Sequence, residues 1–353
     1  MPRVSRRRRQ LLKRALTALP LLALFAFVTG CQRAGGPARA TARQQLHEFT
    51  PAVFYNEFSA TTTPVLRIAP GDTVRTTTID AAGSDDKGVR GGKGGNPQTG
   101  PFYVIGAAPG DTVAVHLTRL RLNRDWAISS DTLSNLAMTP ELAARMKFQG
   151  QLVRWRLDVS RGVAMRENGP GNLSEYSVPL KPMLGCVALA PSIGEPVPDT
   201  GNFGPWGGNL DFNEIVEGTT VFLPVNVPGA LLYLGDAHAA QGDGELSGSG
   251  LETSMDVEVR VDLLHGSSIP APRVESSTHV MTMGLSSSLD DAMRNATTNM
   301  IDWLMARYEL TLPEVSQVVG TSAEYRVSVV VGRNAGIVIK LHKDRLRSLK
   351  PRG

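Results

Sequence analysis

Cysteine is nearly missing from this chain: only Cys31 and Cys186 occur among 353 residues. A disulfide framework is thereby excluded as the source of stability, and about 320 residues remain to build a hydrophobic core instead. Thiol chemistry also lacks support, because a nucleophilic cysteine needs a base nearby and no histidine lies within 30 residues of Cys186. The same gap excludes a blue-copper site, which wants Cys and two His together. Long apolar runs are missing too. The longest, Ala15 to Val28, is too short to cross a hydrocarbon layer of about 30 Å as a helix. The Gly-rich segment Val89–Gly95 has no Gly-Lys-Ser/Thr ending, so it is no P-loop and is better suited to a mobile lid.

Excess positive charge is the next absence, once the N-terminus is set aside. Of 37 lysines and arginines, seven lie in residues 1–30, which carry no acidic residue, so the rest of the chain holds 30 against 33 acidic side chains. A nucleic-acid partner is not expected from that balance. Arg8-Arg9-Gln10-Leu11-Leu12-Lys13 fits a twin-arginine export pattern, and Val28-Thr29-Gly30-Cys31 has the shape of a lipobox. The expectation is a signal peptide over residues 1–30 and a lipid anchor on Cys31. Residues 31–45 would be a small, polar tether, making the chain an exported lipoprotein on the periplasmic side or cell surface. The basic C-terminal run from Lys340 to Arg352 is expected to be a solvated end.

Two textures follow. From residue 46 to 265 short apolar segments (Val65–Ile68, Thr112–Leu117, Thr219–Val225, Leu231–Leu234, Met255–Val261) alternate with Gly/Pro turns, which predicts a β-rich core. Ala69-Pro70-Gly71-Asp72-Thr73-Val74 recurs as Ala108-Pro109-Gly110-Asp111-Thr112-Val113, each copy a turn opening a strand. From 266 to 353 the texture is α/β. Leu289, Met293, Ala296, Met300, Trp303, Leu304 and Tyr308 fall at helical spacing, predicting a helix over 286–310 with that stripe in the core. Ser288 is placed as its N-cap and Asp290 and Asp291 in its first turn. Pro313 opens a second short helix, and Tyr325–Val331 and Gly336–Lys340 are expected strands. The fold class is β-rich α+β.

The chemistry concentrates in Leu234-Gly235-Asp236-Ala237-His238-Ala239-Ala240-Gln241-Gly242-Asp243-Gly244-Glu245. On an extended strand Asp236 and His238 point to one face, and a carboxylate beside an imidazole suits a zinc-like ion. Beyond a bend at Gly242, Asp243 and Glu245 are expected to share a face in turn.

That segment sits in a longer order: Asn209-Leu210-Asp211, Gly218–Val225, Pro228-Gly229-Ala230-Leu231, then Gly235–Glu245 and Glu252. Upstream stand Asp80-Ala81 and Asn96-Pro97-Gln98-Thr99-Gly100-Pro101, and downstream Asn334–Lys340. In this order the chain resembles the acetamidase/formamidase family over residues 47–345. It departs from the family at Leu184-Gly185-Cys186-Val187, where Gly-Val-Ile-Gly is usual, and this puts substrate size in question.

The resemblance implies a multi-stranded β architecture, a bound divalent metal with zinc the first candidate, and hydrolysis of formamide- or acetamide-class amides to carboxylate and ammonia. It implies Asp80, Asp236 and His238 as metal ligands with Asp211 and Glu252 in reserve. Asn96, Asn209 and Gln241 would orient the amide, and Glu245, with Asp243 behind it, would carry the proton. The alternative is a catalytically inactive amide- or metal-binding lipoprotein on the periplasmic side. The partners expected are a small amide and no nucleic acid; a homo-oligomer is left open.

Overall fold

The computed structural model describes residues 44–146, 150–168 and 171–352. The expected signal peptide, Cys31 and the tether up to residue 43 lie outside the described residues.

Among the described residues strand is the main regular structure. A nine-stranded sheet runs in the order Leu46–Glu48, Thr73–Thr78, Met255–Leu264, Thr112–Leu122, Thr220–Pro224, Arg273–Glu275, His279–Ser286, Asn334–His342 and Glu324–Val331. A second sheet of eleven strands carries Leu232–His238 at its centre. Alternation explains the pairing. Along Met255–Leu264 residues Val257, Val259 and Val261 turn inward while Asp256, Glu258 and Arg260 turn out. The inward set joins Val115 and Leu117 of the neighbouring strand. Phe102, Leu184, Leu232 and Leu234 of the other sheet complete one continuous apolar core. The fold class is therefore the β-rich α+β one expected, and the first sheet passes without a break from the 46–265 region into the C-terminal one.

The internal echo is two copies of one device. In each, the fourth residue closes a turn on the first (Asp72 N–H to Ala69 O, 3.0 Å; Asp111 N–H to Ala108 O, 3.0 Å), with Gly71 and Gly110 at φ 92° and 96°. This is the geometry Pro-Gly supplies at the centre of a type II turn. The aspartates then clasp the chain elsewhere. Asp72 accepts from Gln45 N–H (2.9 Å) and pairs with His47 (2.8 Å), whereas Asp111 accepts from Gly266 N–H (2.8 Å) and pairs with His265 (3.2 Å).

The long helix spans Leu289–Tyr308, with the Ser288 hydroxyl accepting from Asp291 N–H (3.2 Å) and Asp290 and Asp291 in the first turn, as the sequence predicts. Part of the expected core stripe is corrected: Leu289 and Met293 are 38% and 48% exposed. The buried line is Ala292, Ala296, Met300 and Leu304. Met293 lies one residue, about 100°, round the helix from it. The second helix, Leu312–Ser322, starts with a reciprocal Thr311–Glu314 capping box.

Candidate active site

Strand Leu232–His238 is buried at all seven positions. On one edge it pairs with Met183–Ala188. On the other it pairs first with Gln98–Val104 and then with Glu252–Thr253, which sets Glu252 directly opposite His238. Asp236 and His238 meet on one face as alternation requires, with His238 Nε2 3.3 Å from Asp236 Oδ1. Asp236 is nevertheless not a regular strand residue, since its φ is 58°. His238 Nε2 also lies 3.1 Å from Glu252 Oε1. Asp211 arrives across the sheet, its backbone and that of Leu210 donating to Gly185 O (3.1 and 2.8 Å). Gly185 leaves the room: a Cβ there would stand 2.4 Å from Asp236 Oδ2 and 2.6 Å from Asp211 Oδ1.

Two overlapping ligand-type groups result, Asp211/His238/Glu245 and Asp236/His238/Glu252, each with its donor atoms within 4.8 Å of one another and every member buried. Of the expected metal ligands the structure brings together Asp236, His238, Asp211 and Glu252, and it adds Glu245. Three of these carboxylates come from outside the strand, and Asp211 and Glu245 are, like Asp236, in the left-handed region (φ 41° and 48°).

The imidazole is oriented by Gln241. Gln241 Nε2 donates to Asp211 O (2.6 Å), which can only accept, so Gln241 Oε1 faces His238 Nδ1 at 2.8 Å. A carbonyl oxygen there requires Nδ1 to donate. Nε2 of the neutral ring is then a lone pair aimed at two carboxylates, which is repulsive unless a proton or a cation lies between them. Metal-bound histidines are held in this way, the far nitrogen donating to a carbonyl. Gln241 was expected to bind substrate; its amide is committed to this support.

Electrostatics agree that four carboxylates cannot all be charged here without a cation. Burial, with Glu245 and Asp236 beside it, pushes Asp211 well above the usual carboxylate range. Burial pushes Glu245 up to about 8, opposed by His238 and reinforced by Glu252 and Asp236. Burial also raises Glu252 against the pull of His238. Burial works against Asp236 as well, but His238 and the hydrogen bonds to Asp236 outweigh it and hold it low. The imidazole, which burial would lower, is held well above its ordinary value by Glu252 and Asp236. Asp211 Oδ1 and Glu252 Oε2 are buried with no hydrogen-bond partner among the described residues. Orphaned buried oxygens beside an oriented imidazole form a donor set that fits a zinc-like dication.

Two expected site residues are elsewhere. Asp80 is in neither group: its carboxylate is the counter-ion of Arg124 (2.8 Å, both side chains 1% exposed) and accepts from Ser84 N–H (2.8 Å). A buried acid looks alike in sequence whether its partner is a metal or an arginine. Asp243 and Glu245 do not share a face, because the segment is a 3-10 turn with Gly244 at φ 80° and not an extended strand. Asp243 turns outward to Arg326 (2.6 and 2.8 Å) and Asn213 (2.9 Å), while Glu245 turns in. Burial raises Asp243, but Arg326 and Asn213 outweigh it and leave it lowered, which suits a clasp and not a base.

Asn96 and Asn209 join the cluster through a directed chain of amides. Gln98 Nε2 donates to Asn96 Oδ1 (3.1 Å), Asn96 Nδ2 to Asn209 Oδ1, and Asn209 Nδ2 to Asp211 Oδ2. Gln98 escaped sequence reasoning although it stands two residues from Asn96, the strand period that would have found it. Arg124, which also donates to Glu252 O (3.2 Å) and Thr253 Oγ1 (3.0 Å), left no local signal.

All five cluster residues lie between positions 204 and 338. Residues 204–338 match the Acetamidase/Formamidase family model. The solved acetamidase of Yersinia enterocolitica superposes with a TM-score of 0.76 at 27% identity, covering 88% of this chain and 95% of that one. An acetamidase of Bacillus halodurans gives 0.73 at 28%, covering 86% and 99%. Among curated proteins, the acetamidase of Mycolicibacterium smegmatis is 43% identical over 61 residues, 17% of this chain. The matched stretches span only 14% and 15% of the curated relatives' own length. The family-model match thus spans the whole cluster, while structural likeness to the acetamidases covers most of the chain.

Proposed function

We propose that this protein hydrolyses small linear amides of the formamide and acetamide class to a carboxylate and ammonia, with a divalent cation, zinc foremost, at the cluster. The carrying observation is His238 Nε2, the ring nitrogen that Gln241 leaves free to take a proton or a metal ion, turned onto Asp236 and Glu252. Likeness to solved acetamidases supports the amide.

Asp236, His238 and Glu252 would hold the cation, with Asp211 beside them. When bound, such an ion lowers the pKa of water toward about 7 and polarises a carbonyl oxygen. The chain's own residues supply the rest. Glu245, buried against Asp211, takes the proton from the attacking water and returns it to the amide nitrogen, so that the nitrogen leaves as ammonia. One Asn209 Nδ2 hydrogen is spent on Asp211 Oδ2; the second is available to the substrate oxygen. Asn96 holds Asn209, its own two hydrogens going to Thr200 O (3.2 Å) and Asn209 Oδ1.

The test is ammonia release from a panel of short amides by protein stripped of divalent ions and resupplied with zinc. No ammonia from any amide overturns hydrolysis in favour of a binding protein, and ammonia that survives stripping overturns the cation. The N-terminal motifs support a location as well: an exported lipoprotein anchored through Cys31. Cys31→Ser should move the protein out of the membrane fraction, and unchanged fractionation rejects the anchor.

A further inference from the structure

A cavity of about 890 Å³ lies between the long helix, the strand Arg273–Glu275 and the C-terminal residues 343–351, and shares no lining residue with the cluster. Arg273 lines it. One face of its guanidinium covers the Phe222 ring (4.3 Å), and the Trp303 ring centre stands 5.6 Å away. Its side chain is 14% exposed, and its Nε, 3.3 Å from Glu275 Oε1, has no hydrogen-bond partner among the described residues. Glu275 is shared, since Lys343 Nζ is 3.2 Å from its other oxygen. Two cations on one carboxylate leave a positive charge uncompensated at that junction. Of the other charges lining the cavity, Arg347 is matched by Asp344 (2.7 Å), and Asp302 and Arg307, of opposite sign, offset one another in the sum. Burial depresses Arg273 against the pull of Glu275, as expected of a guanidinium short of an anion.

The wall above is aromatic. Trp303 and Tyr308 meet edge to face, 5.8 Å apart at 84°. Together these give a corner for a flat ring beside a planar, bidentate cation, and a net surplus of one positive charge suits a monoanion.

We propose that this cavity is a binding site for a small aryl carboxylate, its carboxylate on Arg273 and its ring against Trp303 and Tyr308. Such a ligand needs nothing from the amide chemistry, so this site stands or falls apart from the proposed reaction.

Calorimetric titration with phenylacetate tests it, with 2-phenylethanol (no charge) and acetate (no ring) as comparators. Saturable binding of phenylacetate is expected, with both comparators weaker by about tenfold or more. Arg273→Met should weaken phenylacetate by a similar factor. The ligand should also change tryptophan emission in the parent but not in Trp303→Phe, a readout that stands should Arg273→Met not fold. Absence of saturable heat at millimolar ligand overturns the proposal. Equal binding of either comparator, displacement by equimolar inorganic phosphate, or an emission change surviving Trp303→Phe does so too. Binding that vanishes on stripping divalent ions yet survives Arg273→Met would place the carboxylate at the cluster as a product and reject this site.

Discussion

Asp80→Asn separates a brace from a ligand more sharply than any change inside the cluster. Asp80 uses both oxygens, Oδ1 on Ser84 N–H and Oδ2 on Arg124 Nη2, each at 2.8 Å. An asparagine has one oxygen for these two donors, so whichever way the amide turns, one N–H meets another. The guanidinium cannot relax toward water, because it is 3.5 Å over the Trp126 ring and bonded to the backbone oxygens of Asp85, Trp126 and Glu252. Removing one partner of a buried pair costs about 3–5 kcal/mol, and that loss is expected in the unfolding free energy from denaturant titration. Zinc bound per folded molecule should stay close to that of the parent. Arg124→Met added to Asp80→Asn should restore much of the stability, since an apolar replacement of both members is often neutral or better. If Asp80→Asn instead unfolds within about 1 kcal/mol of the parent and loses its zinc, then Asp80 is a ligand and the brace is wrong.

Glu245→Gln keeps size and hydrogen bonding but cannot carry a proton. Amide turnover should fall about 10²–10⁴-fold with bound zinc and thermal midpoint retained, and a near-parental rate excludes Glu245 as the carrier. Gly185→Ala puts a Cβ 2.4 Å from Asp236 Oδ2; turnover should drop about 10²-fold with the far-ultraviolet spectrum unchanged, whereas an active alanine variant means the carboxylates sit elsewhere. Asp72 is raised by burial, but His47 and the Gln45 and Ala69 N–H groups outweigh it and leave it below the ordinary 3.8. Its stabilisation is then complete above that value and lost as pH falls through the folded one. Asp72→Asn should flatten the acid side of the stability-versus-pH curve, and an unaltered slope rejects the linkage.

Period-two alternation put Asp236 and His238 together with no knowledge of the fold, and helical spacing with Ser288 located the long helix to within a few residues. What local pattern could not supply was the cross-sheet traffic. Asp211 and Glu252 meet His238 only because two other strands flank Leu232–His238, and their candidacy came from the family resemblance alone. The error at Asp243 has a local cause: one left-handed glycine turns a strand into a tight turn and reverses which acid faces inward. Asp80 stands apart from the cluster for the opposite reason, its partner Arg124 lying 44 residues away.

Asn96, Asp211, Asp236 and Glu245 hold backbone conformations that side chains with a Cβ adopt at a cost of order 1–3 kcal/mol each. Glycine would relieve that cost at any of the four while deleting the group that makes the position useful. A library of this protein selected for heat resistance alone should therefore enrich Asp211→Gly or Glu245→Gly, whose carboxylates burial already penalises, and return sturdier molecules that have stopped working. Engineers seeking a more durable form would do well to freeze these four positions before randomising the rest.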